Sequence, residues 1–275
     1  MERRRKDFER QGFQVAALSF DTVETLGHFA ERVGIHYPLL SDPESKAIRA
    51  FGLLNRTVPE DHPFHGIPNP GAYLIDERGV VQQKFFEEKY SDRFTAGHLL
   101  VRALGLDADA SRIERETDHL YLTSSASDEL VRPGNRVALV VTVDLKPEMH
   151  VYAPEVAGGY IPVEWEIEAV KGLVNFSALY PEAETLYLPA IDETVPVYQG
   201  SFRIVAGLTL GMQEDLEPLL NSDGDLVVNG SFRYQACDDK MCYLPSTVPL
   251  EWRFKVEPLD RTRVPEDLRR GKQTR

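Results

Sequence analysis

LVVNGSFRYQACDDKMCYLPSTVPLEWRFKV, residues 226–256, is the stretch on which the reading of this chain turns. Two extended runs flank a polar tip of Asp238, Asp239 and Lys240, and the outgoing run alternates, with Val248, Leu250, Trp252 and Phe254 on one face. That pattern predicts an antiparallel hairpin in an all-β unit. Both cysteines of the chain, Cys237 and Cys242, sit on the two arms beside the tip. Residues so placed can close a small ring, because a disulfide needs Cα atoms roughly 4.4–6.8 Å apart. A bridge across so short a loop removes little chain entropy, so stabilisation alone is a weak reason for it and a redox role is the stronger one. A purely structural staple and two unpaired thiols use the same residues and stay open. A zinc site has less in its favour, since zinc takes four Cys or His ligands and no histidine lies in or beside the hairpin. Asp238 and Asp239 disfavour a thiolate while Lys240 favours one, which leaves the nucleophilic cysteine undecided.

Working outward, 275 residues suffice for two domains, and 42% hydrophobic with 27% charged residues is ordinary for a globular protein. A net charge of −13 argues against nucleic acid as a partner. The longest apolar runs, such as residues 137–141, are strand-sized, far below the ~20 residues of a spanning helix, so no membrane-spanning segment is expected. Basic residues 3–6 are followed by no apolar core, so the sequence as written carries no export signal. A stable disulfide belongs to oxidising compartments, and the two observations conflict.

The pattern changes along the chain. Up to about residue 107 helices alternate with strands; from about 120 to 258 short strands are separated by Pro, Gly and Asp turns. Residues 108–119, polar and without an apolar face, read as a linker, and 259–275 as a charged, frayed tail. In the first part a buried strand at 14–19 precedes a helix whose start is marked by Asp21 with Glu24 three residues on. Val23, Leu26, Phe29, Ala30 and Val33 line one face of that helix, and Gly34 stops it. A helix over 44–51, a hairpin turning through Glu77-Arg78-Gly79 and a closing helix over 91–104 follow. Pro70 reads equally as a cis-proline or as an ordinary trans residue before a strand. Asp61, His62 and His65 invite a metal site, but surface histidines on a proline-rich loop are the commoner reading.

VAALSFDTVETLGHFAERVGIHYPLLSDPESKAIRAFGL, followed by NPGAYLIDERGVV, resembles the redoxin branch of the thioredoxin-like superfamily, the peroxiredoxin and alkyl hydroperoxide reductase (AhpC/TSA) proteins. The match covers about residues 8–105 and implies a central sheet with helices on both faces. In that family the strands and helix start bearing the peroxidatic cysteine precede the strand at 14–18. Here only what resembles the remainder of that helix, residues 3–11, stands there, so the resemblance implies an α/β domain incomplete at its N-terminus. No peroxidase activity is expected of this half as written.

HVYAPEVAGGYIPVEWEI, VPVYQGSFRIVAGLTL and above all FRYQACDDKMCYLPSTVPLEWRF resemble the N-terminal (alpha) domain of the thiol-disulfide interchange protein DsbD, the disulfide bond corrector family. About seven strands, at 120–123, 136–145, 150–152, 163–169, 201–210, 226–235 and 248–256, suit an immunoglobulin-like sandwich in which Trp165 and Trp252 fill the core. The resemblance implies that Cys237 and Cys242 pass electrons to oxidoreductases by thiol-disulfide exchange. By chain order Tyr198 resembles the aromatic residue that shields the family's disulfide, and Tyr152 its neighbouring tyrosine; plain packing of each at a sandwich edge stays open.

The expectation is therefore an incomplete thioredoxin-like α/β domain followed by an all-β immunoglobulin-like sandwich that exchanges electrons with thioredoxin-like or other thiol-disulfide partners, with no cofactor and no metal. The competing expectations are a binding module stapled by a structural disulfide, and a fragment of a longer peroxiredoxin-like antioxidant protein whose true start lies upstream. The DsbD-like part suggests the cell envelope or periplasm, and the start as written suggests the cytoplasm. Oligomeric state is not legible.

Overall fold

The structure is a computed structural model that describes residues 1–87, 89–189 and 192–269. It divides into two compact units, one of Met1–Ala96 with Leu259–Arg275 and one of Gly97–Pro258.

In the first unit a parallel pair, Ala17–Ser19 with Leu39–Ser41, is joined through the helix Val23–Val33. Thr22, not Asp21, caps this helix: its side chain accepts from the Thr25 amide at 3.3 Å, while Asp21 accepts from the Ser19 hydroxyl. Gly34 ends the helix in the left-handed conformation at φ 72°, as expected. Of the apolar face, Leu26 is buried while Val23, Phe29 and Val33 are exposed. A second helix, Lys46–Ala50, is held by Asp42, whose carboxylate accepts from the Lys46 and Ile48 amides. The hairpin Gly71–Ile75 with Val81–Phe86 forms as predicted, its turn stapled by Asp76, which accepts from the amides of Arg78 and Val80.

The implied central sheet is replaced by two separate two-stranded sheets, with no strand hydrogen-bonded between them among the described residues. Apolar residues of those strands that a continuous sheet would cover, Leu40, Ile75, Val81 and Phe86, are exposed. No cis peptide occurs among the described residues, which removes the cis reading of Pro70. The expected frayed tail is corrected for residues 259–269, which belong to this unit. The Leu268 carbonyl accepts from the Thr25 hydroxyl at 3.1 Å, and Asp260 pairs with Arg32 at 2.7 Å. Residues 270–275 of that tail lie outside the described residues.

The second unit is mostly sheet. One sheet runs Leu173–Leu179, Ser201–Leu210, Asn135–Leu145, Leu120–Ala126, Ala110–Glu116 in spatial order. A second runs Glu164–Ile167, Asp225–Tyr234, Ser246–Val256, Leu130–Val131. Their inward faces share one core, in which Leu122, Leu139, Val141, Ile204 and Leu208 meet Trp165, Val228, Phe232, Trp252 and Phe254. Trp165 and Trp252 lie with ring centroids 5.7 Å apart, and Trp252 Nε1 donates to the Ser125 carbonyl. The predicted alternation of the outgoing strand holds, with Val248, Leu250, Trp252 and Phe254 all buried.

Two boundaries differ from expectation. The supposed linker, 108–119, contains the strand Ala110–Glu116, paired antiparallel with Leu120–Ala126. Its exposed Arg and Glu residues hide the strand from a reading based on apolar residues, since an outer strand buries only one face. The helix expected to close the first unit runs Ala96–Leu104 and belongs from Gly97 onward to the second. Its Val101 packs with Ala108, Ala138 and Val140, and a Cβ on Gly97 would stand 2.3 Å from the Ser127 carbonyl oxygen, so the close approach requires glycine.

Candidate redox site

A third sheet of the second unit builds the site, in the order Glu184–Leu188, Glu193–Gln199, His150–Tyr152, Ala236–Cys237. After Tyr234 the long strand leaves its partner, and Ala236 and Cys237 pair instead with Val151 and His150. Cys237 and Cys242 then oppose one another across an antiparallel bridge and are joined as a disulfide, Cα atoms 4.0 Å apart. The unpaired-thiol reading is thereby set aside.

The hairpin around the bridge is tied by its own hydrogen bonds. Asp238 accepts at its carboxylate from the Lys240 amide (2.7 Å), the Met241 amide (2.8 Å) and the Tyr243 hydroxyl (2.8 Å). Those bonds, the Lys240 amide foremost, hold its carboxyl below the usual range. The Tyr243 amide donates to the Ala236 carbonyl, and the Gln235 amide group donates to the Tyr243 carbonyl, which closes the arms behind the disulfide.

The two sulfur-bearing residues differ in access. Cys237 is 1% exposed, packed with Tyr152, Val195 and Val197, whereas Cys242 is exposed. Beyond Cys242 the rim is apolar, with Met241 exposed and Leu244 87% exposed.

Tyr152, 2% exposed, places its hydroxyl 3.5 Å from Cys242 Sγ and 3.6 Å from Cys237 Sγ. With both sulfurs in a disulfide, that hydroxyl is the one group of the three able to donate. Burial, and secondarily Glu193, raises its pKa, so it keeps its proton at neutral pH. The Tyr160 ring lies 4.6 Å from the Tyr152 ring and donates its hydroxyl to Glu193, the main reason its pKa is pushed up to about 12.

Of the four residues singled out in sequence, the structure brings together Cys237, Cys242 and Tyr152. It does not bring Tyr198 to them. Along the Glu193–Gln199 strand Val195 and Val197 face Cys237 and Tyr152, so Tyr198, one residue on, points to the opposite face and into the sandwich core. There it is 3% exposed, stacks on Phe202 at 4.5 Å and donates to the Pro181 carbonyl. Chain order located the right strand but the wrong face. Sequence reading missed Tyr160, Asp238 as the hairpin tie, and His150. The last two had a signal: an Asp ahead of a tight turn, and an i, i+2 relation to Tyr152 on one strand.

Among the described residues no cluster of three His, Cys, Asp or Glu side chains is arranged to hold a metal ion, and no helix is long and apolar enough to cross a membrane.

Comparison with known proteins gives one match on either side of the boundary between the two units. The AhpC/TSA family model matches residues 1–84, and that of the thiol:disulfide interchange protein DsbD, N-terminal, matches residues 119–251. Chloroplastic peroxiredoxin Q of Sedum lineare is 33% identical over 89 residues, which is 31% of this chain and 45% of that protein. The N-terminal periplasmic domain of ScsB from Proteus mirabilis is similar at 12% identity and a TM-score of 0.37, covering 55% of this chain and 52% of that one. The chain spans about half the length of the curated relatives it matches. The two family matches and the Cys237–Cys242 disulfide together point to a thiol-disulfide redox function.

Proposed function

We propose that the chain is a thiol-disulfide exchange protein in which Cys237 and Cys242 cycle between disulfide and dithiol, with Cys242 the sulfur that meets the partner. The observation that carries this is the asymmetry of access, one cysteine exposed and the other buried at the end of a strand. A partner thiolate attacks Cys242 Sγ, the Cys237–Cys242 bond breaks, and Cys237 leaves as a thiolate while Cys242 is held in a mixed disulfide with the partner. A second partner thiolate then attacks the partner's own sulfur in that bond, releasing Cys242 and leaving the partner oxidised by two electrons. The Tyr152 hydroxyl, within reach of both sulfurs, donates to whichever carries charge.

Thioredoxin-like proteins, which present one accessible thiol from a dithiol pair, are the partner class we assign. Tyr198 takes no shielding role in this scheme, and no cofactor enters it. The chain's two cysteines both lie in the hairpin, so any thiol chemistry of this chain runs through them. We assign the exchange to residues 97–258 and a docking role to the first unit, consistent with the absence of cysteine there.

A structural staple is disfavoured because the Asp238 and Gln235 hydrogen bonds close the hairpin without the bridge. The test is trapping with a reduced thioredoxin-like protein whose resolving cysteine is replaced by serine, leaving the attacking thiol alone. The Cys237→Ser chain, preloaded at Cys242 as an activated mixed disulfide, is expected to form a covalent complex. The Cys242→Ser chain, treated the same way, is expected to form little. Equal trapping by both variants, or by neither, refutes the assignment.

A further inference from the structure

His150 lies beside the disulfide and has no part in the scheme above. It is 2% exposed, and its Nε2 has no hydrogen-bond partner among the described residues. Buried polar side-chain atoms are almost always satisfied, so one left open next to reactive groups calls for an explanation. His150 is the cross-strand partner of Cys237. Directly opposed residues on antiparallel strands project to the same face with Cβ atoms about 4.5–5.5 Å apart. Tyr152, two residues along the same strand, shares that face; its ring is 5.7 Å from the imidazole and its hydroxyl reaches both sulfurs. In the disulfide form Cys237 has no proton to offer. In the dithiol form it carries an S–H donor on a buried side chain, on the same strand face as an acceptor that the oxidised state leaves open.

We propose that His150 is the base that receives the Cys237 thiol proton when the reduced pair closes onto a mixed disulfide, a role that rests on the exchange function assigned above. In the reverse of the exchange written above, the Cys242 thiolate attacks one sulfur of an oxidised partner, the partner's S–S bond breaks, and one partner thiolate is released. Cys237 then passes its proton to His150 Nε2 and attacks Cys242 Sγ. The Cys237–Cys242 bond forms, the Cys242–partner bond breaks, and the second partner thiolate leaves with the proton returned from the imidazolium. Two electrons pass from the cysteine pair to the partner, and no other reagent is consumed.

The surroundings suit a neutral acceptor. Burial lowers the His150 pKa, opposed by Asp239 and then Asp238 of the hairpin. Among the described residues, the other titratable groups on this face are Tyr152 on its own strand, Tyr160, whose hydroxyl engages Glu193 of the neighbouring strand, and the exposed Glu184 on the strand beyond it. The imidazole is thus unprotonated near pH 7 and ready to accept, and the carboxylates steady the imidazolium formed in the step.

The experiment uses the full chain, reduced with dithiothreitol, desalted and mixed with an aromatic bis(nitrobenzoate) disulfide. Attack by Cys242 releases the first nitrothiobenzoate in a second-order phase, and closure by Cys237 releases the second in a first-order phase. His150→Phe and His150→Gln are both expected to leave the first phase within about twofold and to slow the second by about tenfold or more at pH 7, with recovery toward the ordinary thiol range near pH 8.5. If the Phe variant does not fold, the Gln variant decides alone. Unchanged closure rates and pH profiles in the folded variants, against a biphasic wild type, overturn the role of His150 and leave the exchange function standing. An equal fall in both phases assigns His150 a structural part only and also overturns it. A wild-type chain that cannot be reduced, or that releases no nitrothiobenzoate, overturns the exchange function and this role with it.

Discussion

Reducing the Cys237–Cys242 bond should leave the sandwich folded, and the cost can be worked from the structure. The bridge joins residues five apart in sequence. By the chain-entropy relation a loop of that size contributes about 2 kcal/mol, against about 4.7 kcal/mol for a 100-residue loop. For a domain of this size that corresponds to a fall in melting temperature of roughly 4–8 °C. The bonds from Asp238 and Gln235 do not depend on the bridge, so the native hairpin keeps its shape on reduction and no native-state loss adds to this entropic cost. The main core, around Trp165, Phe232 and Trp252, contains neither cysteine. The assay is thermal unfolding followed by near-ultraviolet circular dichroism, which reports those tryptophans, with and without a phosphine reductant. A small shift with an unchanged native spectrum agrees with an exchange site. Loss of the tryptophan signal at ambient temperature, or a fall well beyond about 10 °C, would refute the reasoning and make the bond a staple.

Three further outcomes follow from the geometry. Tyr152→Phe keeps the packing against Tyr160 but removes the donor at both sulfurs, so disulfide reduction by dithiothreitol should slow about tenfold with little change in melting temperature; an unaltered rate would remove the hydroxyl from the mechanism. Asp238, whose carboxyl is depressed by the hairpin amides, contributes stability that is full above its unfolded pKa near 4 and is lost as pH falls through its lower folded value. Amide exchange at Lys240 and Met241 should therefore accelerate locally below about pH 4 and not in Asp238→Ala, where it is fast throughout; pH-independent protection contradicts this. Trp252→Ala removes a fully buried ring and leaves the Ser125 carbonyl without its donor, and should cost about 3–5 kcal/mol in denaturant unfolding of the second unit; a loss under about 1 kcal/mol would mean that this core is not the sandwich's main support.

What was legible in the sequence was what period and punctuation encode. The alternation from Val248 to Phe254, the polar tip at Asp238, the stop at Gly34 and the Asp76 turn each have a local cause, and each appears where expected. What was not legible depends on contacts far along the chain. The strand Ala110–Glu116 reads as polar linker because an outer strand needs only backbone pairing and one covered face. Residues 259–269 read as a frayed tail because their anchors, Thr25 and Arg32, lie more than two hundred residues earlier. Tyr198 was displaced by one position of strand parity, a distinction that chain order does not carry. The i, i+2 relation of His150 to Tyr152 was legible, but its place opposite Cys237 is set by strand pairing, which the sequence does not carry.

The central claim is most directly tested by equilibrating the chain in graded glutathione buffers, alkylating and weighing it, to read the redox state of Cys237 and Cys242. The account predicts a single reversible two-electron transition within the physiological thiol range of about −300 to −120 mV. A pair that stays oxidised in strongly reducing buffer contradicts it.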